Sequence, residues 1–182
     1  MYSVMFCDKF KREKYVRKCV HQFYLSKKDT KKIEEEIKNI FRVEVEGIEY
    51  VGNRVIELDK DTKIFVLGKI ILIREKEKLF PSLACGENFL SKFPSIKVDV
   101  GAIPHICRGA KIMRPGIVTF EKNFNLNDIV CIKENTYNKF IAIGEALMNK
   151  EDAEKREKGP VLDNLHYIGD KYWILLKNAR II

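Results

Sequence analysis

The stretch Val98–Ile117, VDVGAIPHICRGAKIMRPGI, gathers three glycines, two alanines that follow two of them, and three cations into one compact and otherwise apolar segment. Asp99 ahead of Gly101-Ala102-Ile103-Pro104 reads as a helix start. A side-chain oxygen there can accept from backbone N–H groups that have no intrahelical partner, and proline is tolerated in a first turn. Gly109 reads as the left-handed stop of that short helix, because no Cβ penalises a positive φ. Ala110–Met113 then reads as a short strand, and Pro115-Gly116 as the turn dipeptide that ends it. A one-turn-scale helix, a tight glycine corner and a strand are therefore expected to pack together. Small side chains let another chain's backbone approach such a corner closely, and Arg108, Lys111 and Arg114 surround it with positive charge, which suits a phosphate. The same residues also fit a plainer account, in which the glycines only permit tight packing and the cations only solvate the surface.

The ordered set Val98, Asp99, Gly101, Ala102, Gly109, Ala110, Met113, Pro115, Gly116 and Ile117 resembles the opening of a PUA domain. PUA domains are RNA-binding modules and not catalysts, so the resemblance favours RNA. It continues downstream. Asp128–Ile132 and Phe140–Ala146 are strand-like, with a turn-rich Asn135–Asn138 between them, in the order that PUA domains carry. Asn149–Gly159 reads as a short surface helix capped by Asn149 and stopped by Gly159, with no site assigned to it. Val161–Trp173 narrows the resemblance: Asp163, Asn164, His166, Tyr167, Asp170 and Trp173 fall where the MCT family, the group containing the malignant T-cell amplified sequence protein, has its closing tail. His166 is read as a packed or capping residue rather than a catalyst, and Trp173 as core rather than a stacking platform.

Upstream, Thr30–Phe41 places Ile33, Ile37, Ile40 and Phe41 at helical spacing, which predicts an amphipathic helix. Residues 54–58, 63–67 and 69–74 are strand-like, and Gly68 makes the last two a hairpin or one bulged strand. Arg74-Glu75 followed by Phe80-Pro81-Ser82-Leu83 is again similar to the MCT family, in which such a step leads into a connecting helix, here expected over Leu83–Phe93. Nearer the start, Lys9, Lys11, Arg12, Lys14, Arg17 and Lys18 are interleaved with Phe10, Tyr15 and Val16. That pattern fits an RNA-facing rim and a snorkelling, solvated edge equally.

Composition bounds the rest. The 182 residues are 46% apolar, enough for one large or two small cores, and 33% charged with a net charge of +8. Ahead of Val98 there are 21 basic against 15 acidic residues, and from Val98 onward 13 against 11, so the N-terminal part carries most of the field. Such charge draws in RNA through counterion release; a Lys/Glu-rich surface of the kind seen in heat-adapted proteins is the other reading. No apolar run approaches the ~20 residues that span a membrane, and the N-terminus lacks a signal-peptide core, so a cytoplasmic protein is expected. The five cysteines are odd in number and form no Cys-x-x-Cys pair, which gives structural disulfides and a zinc ribbon little support. There is no dinucleotide or Walker-type loop, no nucleophile elbow and no metal-spaced cluster. His105 and Cys107, two residues apart, do not face each other well enough to act as a nucleophile and base.

The expected architecture is α+β: an N-terminal pre-PUA α/β domain with its connecting helix over residues 1–93, then a mixed, mainly antiparallel PUA pseudo-barrel over 94–182. The expected RNA-binding set is Lys97, Gly101, Ala102, Arg108, Gly109, Ala110, Lys111, Arg114 and Gly116. Backbone N–H groups around the two Gly-Ala steps would face phosphates while the cations neutralise charge. No catalytic residue, metal or cofactor is assigned. The MCT resemblance implies binding to structured RNA in translation, namely small-subunit rRNA and the acceptor end of tRNA in initiation or recycling, with neither DNA nor membrane. It also implies a separate SUI-domain translation factor as partner, since no such domain is read on this chain. An RNA-recognition accessory subunit for tRNA or rRNA modification is the alternative.

Overall fold

The computed structural model describes residues 21–45, 48 and 50–181, so the basic run at residues 9–18, with Cys7 and Cys19, lies outside the described residues. The chain divides into two compact units between Phe80 and Pro81.

In the first unit, β1 (His21–Tyr24) leads into α1 (Lys27–Phe41), and four strands follow: β2 (Arg54–Asp59), β3 (Thr62–Leu67), β4 (Ile70–Glu75) and β5 (Lys78–Pro81). The sheet keeps sequence order, β1-β2-β3-β4-β5, and the β1–β2, β2–β3 and β3–β4 pairs are antiparallel. Helix α1 starts three residues before the periodicity suggests, because Ser26 caps it by accepting from the Asp29 N–H at 3.1 Å. Ile33 and Ile37 are buried beneath it as expected, whereas Ile40 at the end of the helix is exposed. The β3–β4 connection is a two-residue hairpin, with Leu67 opposite Ile70 and Gly68 at a φ of 59°. A primed turn of this kind requires positive φ and matches the twist of the strands.

The second unit holds α2 (Glu87–Leu90), β6 (Ser95–Val98), α3 (Ile103–Ile106), β7 (Ile112–Met113), a 3-10 turn over Arg114–Gly116, and β8 (Ile117–Phe120). Then come β9 (Ile129–Glu134), β10 (Phe140–Ala146), α4 (Lys150–Lys155), β11 (Pro160–Tyr167) and α5 (Lys171–Asn178). The strands form one sheet ordered β7-β11-β10-β9-β6-β8. Only β6–β9 is parallel; the other pairs are antiparallel. This order forces the sheet to curl. In a flat sheet the outer strands β7 and β8 would stand five spacings, about 24 Å, apart, yet the four steps from Met113 to Ile117 reach at most about 14 Å. The sheet closes on itself into the expected mixed, mainly antiparallel pseudo-barrel. Ile96, Val98, Ile112, Val130, Ile132 and Leu162 fill its interior.

Several local expectations need correcting. The helix expected over Leu83–Phe93 shrinks to four residues. At its start the Ser82 hydroxyl accepts from the Ala84 N–H at 3.1 Å, a local bond that competes with helix, and Gly86 costs backbone entropy. At its end Pro94 disfavours helical Phe93. Helix α4 is capped by Asn149, which accepts from the Asp152 N–H at 2.8 Å, but it stops at Lys155. Gly159, at a φ of 102°, therefore turns the chain into β11 and does not end the helix. Finally, the fully buried aromatic of the closing segment is Tyr172, and Trp173 is only half-buried.

Candidate nucleic-acid interface

Residues of the stretch Val98–Ile117 form a cleft on the barrel. Asp99 Oδ1 accepts from the Ala102 N–H at 2.8 Å and starts the turn that leads into α3. At the other end, the Gly109 N–H donates to the Ile106 carbonyl at 2.9 Å and the Ala110 N–H to the His105 carbonyl at 3.1 Å. With Gly109 at a φ of 85°, these two bonds make a Schellman stop, as expected for that glycine. From β11, Asn164 Nδ2 donates to the carbonyls of Ile106 at 2.9 Å and Ala110 at 3.0 Å, which staples the corner to the sheet. The Tyr167 ring lies so close under Gly109 that a Cβ there would come within 3.2 Å of it.

Gly116 explains how the cleft stays open. The Asp99 N–H donates to the Gly116 carbonyl at 3.0 Å, and a Cβ on Gly116 would stand 2.9 Å from the Ala102 Cβ. The helix start and the 3-10 turn can approach this closely only without a side chain there. The result is a cleft of about 360 Å³ with Gly101, Ala102, Ala110, Lys111 and Gly116 in its lining. Asp99, His105, Ile106, Ile112, Met113 and Pro115 complete that lining. Lys97, Arg108, Gly109 and Arg114 are not among the lining residues.

The cations divide into two kinds. Lys111 reaches Asp163 at 2.7 Å with 58% of its side chain still exposed. Arg108 is exposed and spends only its Nε, on the Pro104 carbonyl at 2.8 Å. Arg114 turns inward, donating to the Ile117 carbonyl at 3.1 Å and stacking over the Phe120 ring at 5.4 Å. Lys97 pairs with Glu121 at 3.2 Å, and Lys133 joins the same carboxylate at 2.8 Å. Burial works against the Glu121 charge, but Lys133, Ser95 and Lys97 outweigh it and pull its carboxyl down to about 2. The Cys107 thiol beside the corner is pushed up by burial, away from the thiolate a nucleophile needs.

The backbone is less available than its glycines suggest. The N–H groups of Ala102, Gly109 and Ala110 already donate internally, so side chains would carry most of any contact with phosphate. Asp99, legible in the sequence as a helix start, also places its carboxylate in the cleft lining, which no local sequence signal marks.

His166 is buried as expected of a packed residue. Its Nδ1 lies 2.7 Å from Asp170 Oδ2 and its Nε2 3.3 Å from the Ser82 hydroxyl. Neither His166 nor Ser82 has exposed surface, so this Ser-His-Asp arrangement ties chain segments together inside the unit and offers no atom to a substrate. Among the described residues no group of His, Cys, Asp and Glu could hold a metal ion, and no helix is long and apolar enough to cross a membrane.

Fold and cleft together define a PUA-domain protein with a second, N-terminal unit. Comparison with known proteins agrees: the PUA domain family matches residues 94–168, and a domain of unknown function (DUF1947) matches residues 21–85. An uncharacterized protein of Methanocaldococcus jannaschii is 36% identical over 84% of this chain and 94% of its own length. Translation machinery-associated protein 20 of Saccharomyces cerevisiae is 30% identical over 63% of this chain and 67% of its own. Malignant T-cell-amplified sequence 1 of Rattus norvegicus is 28% identical over 75% and 83%. Among solved structures, a hypothetical protein of Pyrococcus horikoshii OT3 superposes with a TM-score of 0.67 at 30% identity, covering 85% of this chain and 98% of that one. The chain belongs to the MCT family of PUA-domain proteins.

Proposed function

We propose that this protein is an RNA-binding factor of translation. It binds the small ribosomal subunit and the acceptor end of tRNA during initiation or recycling, in the cytoplasm, beside a separate SUI-domain partner. The PUA cleft is the RNA surface, within a domain spanning 94–182 that follows a pre-PUA domain of 1–93. The observation that carries the reading is the cleft itself: open, largely apolar, and flanked by two outward cations, Arg108 and Lys111, in a chain of this family. Such a cleft takes a ribose or an unpaired base while the flanking cations meet phosphate. Asp99 sharpens the chemistry, since a carboxylate in the lining disfavours phosphate at that point and accepts from hydroxyl or amino groups. Gly101, Ala102, Gly109, Ala110 and Gly116 act by their small size. Lys97 and Arg114 act from behind, holding β8 and the 3-10 turn in place.

The test is binding of the full chain to purified small ribosomal subunits and to deacylated tRNA across a salt series, with Arg108→Glu/Lys111→Glu as the variant. Salt-dependent binding to the subunit, reinforced by tRNA and weakened in the folded variant with a shallower salt slope, is the expected result. Binding to tRNA alone would favour a modification accessory subunit, and unchanged affinity in the folded variant would remove this cleft from the account.

A further inference from the structure

In the first unit a second surface has the chemistry of a single-strand RNA site, and we propose that the corner where β1 meets α1 binds a single-stranded RNA segment. The proposal shares with the preceding one only the nature of the ligand. It rests on lysines and an aromatic of a unit that the cleft does not include.

Lys27, Lys28, Lys31 and Lys32 occupy the first two turns of α1, and all four are exposed. At about 100° per residue they form one stripe centred about 160° around the helix from the buried stripe of Thr30, Ile33 and Ile37. Asp29 lies 3.8 Å from Lys32. No acid of the helix pairs with Lys27, Lys28 or Lys31; Glu34 serves Tyr50 and Lys38, and Glu36 serves Arg74. Lysines in a first turn stand against the positive end of the helix dipole, so this charge is not there to stabilise α1.

An exposed aromatic stands on the strand that leads into the stripe. Tyr24 is 72% exposed; Phe23, its neighbour in β1, is 45% exposed but points to the opposite face of the sheet, so Tyr24 is the ring the proposal uses. Tyr24 stands two residues before the cap Ser26, and Arg54 lies directly across from it on β2, on the same face of the sheet. Cations following a backbone beside rings that stack bases are the parts of a sequence-tolerant single-strand platform. An acidic protein segment would use the lysines but would gain little from the ring.

A fluorescent 12-nucleotide single-stranded RNA of mixed sequence, titrated into the full chain across a salt series, decides the matter. Lys27→Glu/Lys28→Glu/Lys31→Glu should lower the log–log salt slope by about 2, at about 0.7 per lost single-strand phosphate contact. The three acids suit a helix N-terminus, so α1 should remain folded, and circular dichroism checks this. Tyr24→Ala should weaken binding about tenfold at an unchanged slope, as expected for the loss of one stacked base. Folded variants with wild-type affinity and slope would overturn the proposal. A polyglutamate peptide that binds as tightly as the RNA and ignores Tyr24→Ala would also overturn it, reassigning the corner to an acidic protein. Arg108→Glu/Lys111→Glu in parallel separates the surfaces: loss there alone supports the cleft and refutes the corner, and loss in the α1 variant alone does the reverse.

Discussion

Replacing Asp170 by alanine tests whether the closing segment is held by one carboxylate doing three jobs. Asp170 Oδ1 accepts from the Trp173 N–H at 2.7 Å, which caps α5. Its Oδ2 meets His166 Nδ1 at 2.7 Å and accepts from the Tyr167 N–H at 3.2 Å. Losing an N-cap of this type costs about 0.5–2 kcal/mol. His166 has no exposed surface and Asp170 only 7%, so the imidazole N–H left behind meets neither protein nor water, at a further cost of about 1–3 kcal/mol. Asp170→Ala should therefore destabilise the second unit by about 2–5 kcal/mol, which at about 4 °C per kcal/mol for a unit of about 100 residues lowers its melting temperature by about 8–20 °C. The chain has a single tryptophan, Trp173, in α5, so its fluorescence reports the unfolding of this unit. Asp170→Asn is the control. Asparagine caps a helix as well as aspartate does, and its amide can donate to Nδ1 if the imidazole takes the other tautomer and gives its Nε2 proton to Ser82. An amide NH2 at that position cannot accept from the Tyr167 N–H, so the asparagine variant keeps two of the three roles and should lose less stability than alanine does. If alanine falls within ~0.5 kcal/mol of the native chain, or if asparagine costs as much as alanine, the three-way role is wrong.

Other consequences follow from the same contacts. Gly109→Ala forces a Cβ onto a left-handed residue and toward the Tyr167 ring; a loss of about 1–3 kcal/mol in urea unfolding, with weaker RNA binding alongside, is expected. Lys97→Ala should leave RNA affinity nearly unchanged, because Lys97 is committed to Glu121; a loss as large as that from Lys111→Ala would show that the ion pair opens to receive RNA. Glu121 ionises near 2 instead of its ordinary 4.5, so the stability it supplies is complete above about 4.5 and is lost as the pH falls through about 2. Melting temperatures of Glu121→Gln should accordingly vary less over that window than those of the native chain.

What the sequence revealed depended on the range of the interaction. Gly109, Asp99, Asn149 and the Gly68 hairpin were legible because caps and tight turns are settled by residues within five positions of one another. The helix expected over Leu83–Phe93 comes from the family resemblance, which carries no detail of this chain; here the Ser82–Ala84 bond at one end and the constraint of Pro94 on Phe93 at the other confine it to four residues. The sequence points to Trp173 as core, but the rotation of α5 after Asp170 buries its neighbour Tyr172 and leaves Trp173 half-buried. Least visible were the commitments of the cations. Lys97 and Arg114 look like Arg108 and Lys111 in one dimension, but Glu121, 24 residues beyond Lys97, and the Phe120 ring take them out of the cleft.

The closure of the sheet and the making of the cleft are the same event. Sheet order places β7 and β8 at opposite edges, while only Arg114-Pro115-Gly116 separate them in the chain. The turn must therefore cross the seam of the barrel. Pro115 fixes its own φ and offers no N–H to satisfy, and Arg114 fastens the crossing through Ile117 and Phe120. On the far side of the crossing Gly116 meets Asp99 and Ala102, the start of α3. The residues that shut the barrel are thus the floor and wall of the opening. It follows that Gly116→Ala should affect closure and ligand together, whereas Lys111→Ala, on the rim, should affect the ligand alone. A Gly116→Ala chain with native stability and native RNA affinity would separate the two events and refute their common origin.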